Sequence, residues 1–186
     1  SSNTALIPNP TISGTTLSYT PVANGNGTAT ITVTVNDGQA SNNTVSKTFT
    51  VTVAAVNDAP TLGDIANQTI NEDVGAQTVA LSVGPGGGSD EVGQTVTLTA
   101  TSSNTALIPN PTISGTTLSY TPVANANGTA TIAVTGSDGQ SANSTVSKSF
   151  NVTVSPVNDL PVLTAIGNRT VNEGQSLAFT LVVADV

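Results

Sequence analysis

The chain has 186 residues, of which 3% are aromatic and 8% charged, and it contains no Cys, His, Met or Trp. A formal net charge of −8, with Lys47, Lys148 and Arg169 as the basic residues, removes the positive footprint that a nucleic-acid backbone requires and disfavours anionic membrane surfaces. No apolar run nears the roughly 20 residues that cross a bilayer, and a chain without cysteine has neither disulfides nor thiolate metal sites.

The predicted elements repeat along the chain. Ser1 to Asn24 is identical to Ser102 to Asn125, and the match continues with scattered differences through Glu72 against Glu173, a period of about 101 residues. At that length each copy can bury a core of its own, so beads on a string are expected rather than a solenoid. The joints are Val56-Asn57-Asp58-Ala59-Pro60 and Val157-Asn158-Asp159-Leu160-Pro161. They divide the chain into the second half of one repeat (1–56), a complete repeat (57–157) and the opening of a third (158–186), so the chain reads as a piece of a longer array. The two incomplete ends are complementary: either a continuous array has been cut at arbitrary points, or copies join head to tail by exchanging strands into a homopolymer.

In the complete repeat the apolar period is two almost throughout. Thr78 to Val83 and Thr95 to Ala100 alternate apolar residues with Thr or Ser, as half-buried strands do. Thr117 to Thr121 forms another such run. Thr129 to Thr135 turns Ala130, Ile132 and Val134 inward, and Ser144 to Val154 does the same with Val146, Phe150, Val152 and Val154, with Lys148 on the same parity. Threonine suits these positions because its branched carbon fits a pleated surface while its hydroxyl stays hydrated. Turn residues separate the runs at Ser114-Gly115, Pro122 to Asn127 and Ser137-Asp138-Gly139. No segment carries a helical stripe. About seven short strands per unit of roughly 100 residues predict an all-β fold of tandem Greek-key β-sandwiches.

Successive strands of such a sandwich run up and down, so its loops divide between two ends. The turn Gly84 to Gly93, with Asp90 and Glu91, and the turn at Asp138 fall at the end where Asn57 and Asp58 enter. Glu72 and Asp73 fall at the other end, beside Asn158 and Asp159, and Asp185 approaches that joint from the third repeat. Carboxylates gathered with amide and backbone oxygens form the hard donor set that suits calcium, which takes six to eight oxygens at about 2.3 to 2.6 Å.

In its joint residues, Asn71-Glu72-Asp73, the turns Asn36-Asp37-Gly38 and Ser137-Asp138-Gly139, and the stretch Gly128 to Ile132, the chain resembles bacterial cadherin-like and immunoglobulin-like repeats of large surface adhesins. The resemblance implies calcium between repeats, on Asn57, Asp58, Asp90 and Asp138 at one joint and on Glu72, Asn158, Asp159 and Asp185 at the other. The loop Gly84 to Glu91 departs from the cadherin pattern in lacking a paired Asp-x-Asp.

Catalysis is not expected, since hydroxyls abound without a base to activate them. The glycines Gly86 to Gly88 precede no helix and so do not read as a phosphate cradle. The sequence therefore predicts a structural, extracellular spacer of an adhesin or surface filament, with calcium-stiffened joints and its neighbouring repeats as partners. Two alternatives are the head-to-tail filament and a polysaccharide-binding module; few aromatic residues are present to stack on sugars.

Overall fold

The computed structural model describes residues 1–184; Asp185, one of the expected calcium ligands, lies outside the described residues. The architecture is all-β. Among the described residues no helix is long and apolar enough to cross a membrane.

The first segment holds β1 (Thr11–Ser13), β2 (Thr16–Ser18), β3 (Gly27–Asn36) and β4 (Thr44–Val53). The β3–β4 ladder is antiparallel, running from Gly27↔Val53 to Asn36↔Thr44, and β1–β2 is a short antiparallel hairpin. Alternation in β3 turns Ala29 and Ile31 onto Leu6 and Ile7, with Leu17, Val33, Val51 and Val53 packed around them.

The middle segment holds β5 (Thr61–Leu62), β6 (Gln68–Asn71), β7 (Gln77–Ala80), β8 (Val83–Gly84), β9 (Thr97–Ser102), β10 (Thr112–Ser114), β11 (Thr117–Tyr120), β12 (Gly128–Ser137) and β13 (Thr145–Ser155). They form a four-stranded sheet in the order β6-β13-β12-β9, a three-stranded sheet in the order β10-β11-β7, and the small pair β5-β8. The two larger sheets make up the sandwich that the alternating pattern predicts. The β6–β13 ladder is parallel, from Val152↔Gln68 to Ser155↔Asn71. The third segment contributes β14 (Val162–Leu163) and β15 (Val183–Ala184), paired antiparallel.

The inward set on β12 and β13 is as read from the alternation: Ala130, Ile132, Val134, Phe150, Val152 and Val154 are buried, and Val146 half-buried. Lys148 shares their parity but is exposed, because its ammonium donates to Asp64 Oδ1 at 2.7 Å. Two strands differ from expectation. The run Thr78 to Val83 is divided, β7 ending at Ala80 and β8 beginning at Val83, because the chain leaves β11 there to pair with β5. The strand expected from Thr95 starts at Thr97.

Contacts group the chain into two compact units, Ser1–Asp64 with Ala80–Thr99 and Val134–Lys148, and Ile65–Val79 with Ala100–Ala133 and Ser149–Val186. In the first, Leu62, Leu81 and Val134 are buried along with the β3 cluster. In the second the buried residues include Leu107, Ile108, Leu118, Tyr120, Ile132 and Phe150. Burial pushes the Tyr120 phenol above its ordinary pKa.

Candidate metal centre

Glu72, Asp73 and Asp159 place carboxylate oxygens within 4.8 Å of one another. Their positions follow from the parallel ladder. Glu72 continues β6 by one residue, its amide donating to Ser155 O at 2.9 Å, so its side chain arrives beside the end of β13. There Glu72 Oε1 accepts from the Val157 amide at 2.8 Å. Asp73 then takes a left-handed backbone, φ 61°, which ends the strand, and its Oδ1 accepts from the Asn125 amide at 3.0 Å. Asp159 lies two residues beyond Val157, next to Asn158, whose side-chain amide donates to Asp159 O at 2.9 Å.

Glu72 is 6% exposed, and its Oε2 is buried without a hydrogen-bond donor; Asp159 Oδ2 is in the same condition. Buried carboxylate oxygens are normally satisfied, since an unpaired one loses its hydration without replacement. Like charges at this spacing also repel. A cation bound among the three carboxylates would answer both problems. Two oxygens on one calcium can be no more than about 5 Å apart, twice the metal–oxygen distance, and the cluster meets that limit. The donors are all oxygen, a hard set that suits calcium, magnesium or manganese better than copper. Asp73 is absent from the ligand set expected from sequence. Its signal was the run Asn71-Glu72-Asp73, which reads equally well as a turn.

The other joint is arranged differently. Asn57 Nδ2 donates toward Asp138 Oδ2 at 3.0 Å and Ala142 O at 2.9 Å, with Asp58 O and Asn143 O at 3.2 and 3.3 Å. Gln94 Nε2 donates to Asn57 Oδ1 at 2.9 Å, which fixes the orientation of the amide. Asp138 Oδ1 accepts from the Gln140 amide. Glu91, 1% exposed, accepts from the Asp58 amide through Oε1 at 3.2 Å, while its Oε2 has no donor. Asp58 and Asp90 line a cavity of about 190 Å³ together with Asn24 to Asn26 and Val53 to Val56. Asp58, Asp90, Glu91 and Asp138 form no group of three mutually close carboxylates among the described residues. Gln94, the residue that orients Asn57, carried no distinguishing mark in the sequence.

The glycine run has a role here. A Cβ on Gly87 would collide with the Asp58 carboxylate, and one on Gly88 with the Asn24 carbonyl. Only a chain without side chains can lie this close to the joint.

No curated protein matches the chain. Among solved structures, the titin domains z1z2 in complex with telethonin are 10% identical, with a TM-score of 0.36, covering 59% of this chain and 54% of that one. Domains 4 and 5 of the S-layer protein SbsC are 22% identical, with a TM-score of 0.35, covering 81% and 67%. Domains 4–9 of surface layer protein SbsC are 21% identical, with a TM-score of 0.37, covering 82% and 21%. This chain thus spans about half of the titin pair and about a fifth of the longer SbsC structure. At these scores the architecture rests on the strand pairing described above. The model of the lipoprotein associated domain matches residues 1–53 and 89–156, together more than half of the chain, and these stretches include neither Glu72 and Asp73 nor Asp159. The chain belongs to the lipoprotein associated domain family.

Proposed function

We propose that the chain is a non-enzymatic structural repeat module on the outside of a cell, a spacer in which calcium fastens the end of one sandwich to the start of the next. The observation that carries this reading is the cluster Glu72, Asp73 and Asp159, with two of its oxygens buried and undonated. Glu72 and Asp73 end the first long strand of one repeat, whereas Asp159 opens the next. An ion held by all three ties the linker to the sandwich, and Pro161 stiffens the chain just beyond. Membership of the lipoprotein associated family supports placement at a cell surface.

The test is thermal melting of the 186-residue chain in calcium chloride and then in excess chelator. A ligand at about one hundred times its dissociation constant stabilises the native state by about 2.7 kcal/mol. Calcium should raise Tm reversibly, magnesium should do so less, and Glu72→Gln should remove the response. A Tm indifferent to millimolar calcium overturns the reading.

A further inference from the structure

We propose that the repeat carries a recess for one neutral sugar ring, at the margin of the sheet β10-β11-β7. In the middle repeat the recess is a cavity of about 320 Å³, walled by both strands of the β10–β11 hairpin, by Pro109 and Asn110 ahead of it, and by Ala76 just before β7. That volume is at the low end of small-molecule sites, which run from about 300 to 1,000 Å³. Every wall belongs to one compact unit.

The hairpin decides what faces the recess. Its register sets Thr112 opposite Ser119, so two hydroxyls stand side by side, with the Cβ separation of about 4.5–5.5 Å that directly opposed residues have. Thr121 follows as β11 ends, and Tyr120 between them is 4% exposed yet still lines the cavity. Burial raises the phenol pKa, so the Tyr120 hydroxyl keeps its proton and can donate. Asn110 Oδ1 accepts from the Ser102 amide at 2.9 Å, which fixes the side chain and leaves its Nδ2 to donate. The other side-chain bonds of this region join Asn104 to Ser102, Asn125 to Asp73, and Thr131 to Ser103 and Asn151. Among the described residues the hydroxyls of Thr112, Ser119, Tyr120 and Thr121 are therefore uncommitted.

Those groups select a class of ligand. No carboxylate, ammonium or guanidinium lines the recess, so a phosphate or a metal ion would lose hydration there without meeting a counter-charge. A purely apolar ligand would strip the hydroxyls of water and return no hydrogen bond. What fits is a neutral molecule that donates and accepts around its rim and is apolar on its faces. A pyranose ring has that pattern: edge hydroxyls to meet Thr112, Ser119, Thr121 and Asn110, and C–H groups to lie on the Pro109 ring and the Ala76 methyl. Because the Tyr120 ring is buried, it offers no stacking platform, and a single site is weak, of about millimolar affinity.

Repetition compensates. Pro8, Asn9, Thr11, Ser18, Tyr19 and Thr20 line the corresponding cavity of about 250 Å³ beside β1–β2, where Thr11 again faces Ser18. Weak sites recurring along one chain hold a polymer of sugars more tightly than any one of them holds a monomer. The recess thus adds ligand binding to a spacer, and it needs no calcium.

The test is an NMR titration of the isotope-labelled 186-residue chain with glucose, mannose and N-acetylglucosamine, in chelator so that the result is separate from the calcium reading, and with glycerol as the control. At least one sugar should move the amide signals of Ala76, Asn110, Thr112, Ser119 and Thr121 saturably, and glycerol should not. Ser119→Ala removes one hydroxyl, whereas Asn110→Asp keeps the oxygen that holds Ser102 and removes the donor. Each should weaken binding at the middle recess about tenfold, with the rest of the spectrum and the response at Asn9, Thr11 and Ser18 unchanged. No saturable shift with any of the three sugars, an equal response to glycerol, or variants that bind as the unaltered chain does overturns the proposal.

Discussion

Asn57 Nδ2 stands 3.0 Å from Asp138 Oδ2, within 3.3 Å of three backbone carbonyls as well, so an amide occupies a pocket made of oxygens. Four acceptors compete for two hydrogens, and the remaining face of the amide is held by Gln94. Asn57→Asp would put a carboxylate where only donors are tolerated. A loss of about 1–3 kcal/mol is expected, read as a lower denaturation midpoint, and Asn57→Ala should lose less because it adds no charge.

Gly88 gives the second prediction. A methyl at this position would strike the Asn24 carbonyl, and backbone cannot swing aside as a flexible side chain can. Gly88→Ala should therefore cost about 1–3 kcal/mol, whereas Gly93→Ala, with open space around it, should be neutral. Urea denaturation of the two variants decides it.

Much of this was legible in the sequence because alternation is local. Ala130, Ile132 and Val134 could be assigned to one face from their spacing alone, and they are buried. The joint was legible only in outline. That Asp138 and Glu91 approach Asn57 and Asp58 follows from which end of the sandwich each loop occupies, a matter of topology. Whether a given oxygen meets a donor or another oxygen depends on distances of an ångström, which spacing does not encode. Asp73 belongs to the carboxylate cluster because its left-handed backbone turns it there, and Gln94 orients Asn57 although glutamine is common in loops. The parting of Thr78 to Val83 into β7 and β8 was invisible for a related reason: the pattern is unbroken, but the partner strand changes.

The cluster at Glu72 predicts a change of sign. Without calcium, Asp159 adds a negative charge beside Glu72 and Asp73, so Asp159→Asn should leave Tm unchanged or raise it. With calcium the same substitution removes a ligand and should lower Tm relative to the unaltered chain. Two melts of each protein suffice, and a variant that is destabilised equally in both conditions would assign Asp159 a purely structural role.

Lys148 and Asp64 should show a modest pH dependence. The hydrogen bond from Lys148, and next its charge, hold the Asp64 carboxyl below its ordinary value of 3.8. A depressed folded-state pKa means stability that is present above the unfolded value and is lost as pH falls through the folded one. Asp64→Asn should lower Tm slightly at pH 7, and the difference should fade as pH falls below 3.8 and through the depressed folded-state value. Because both partners are exposed, the effect at pH 7 should also shrink in high salt.

Phe150 and Phe49 occupy equivalent places in two repeats and should behave very differently. Phe150 is 2% exposed beneath a completed sandwich, so Phe150→Ala removes its burial and leaves a cavity, at a cost of about 3–5 kcal/mol. Phe49 is 41% exposed, with Tyr19 at 6.4 Å between ring centroids as an aromatic neighbour. Its truncation gives up only part of that burial and opens no enclosed void, so Phe49→Ala should cost about 1 kcal/mol. The comparison isolates what the covering strands contribute, because the residue and its strand position are the same in both. If Phe49→Ala proves as damaging as Phe150→Ala, coverage by neighbouring strands is not what separates the two sites.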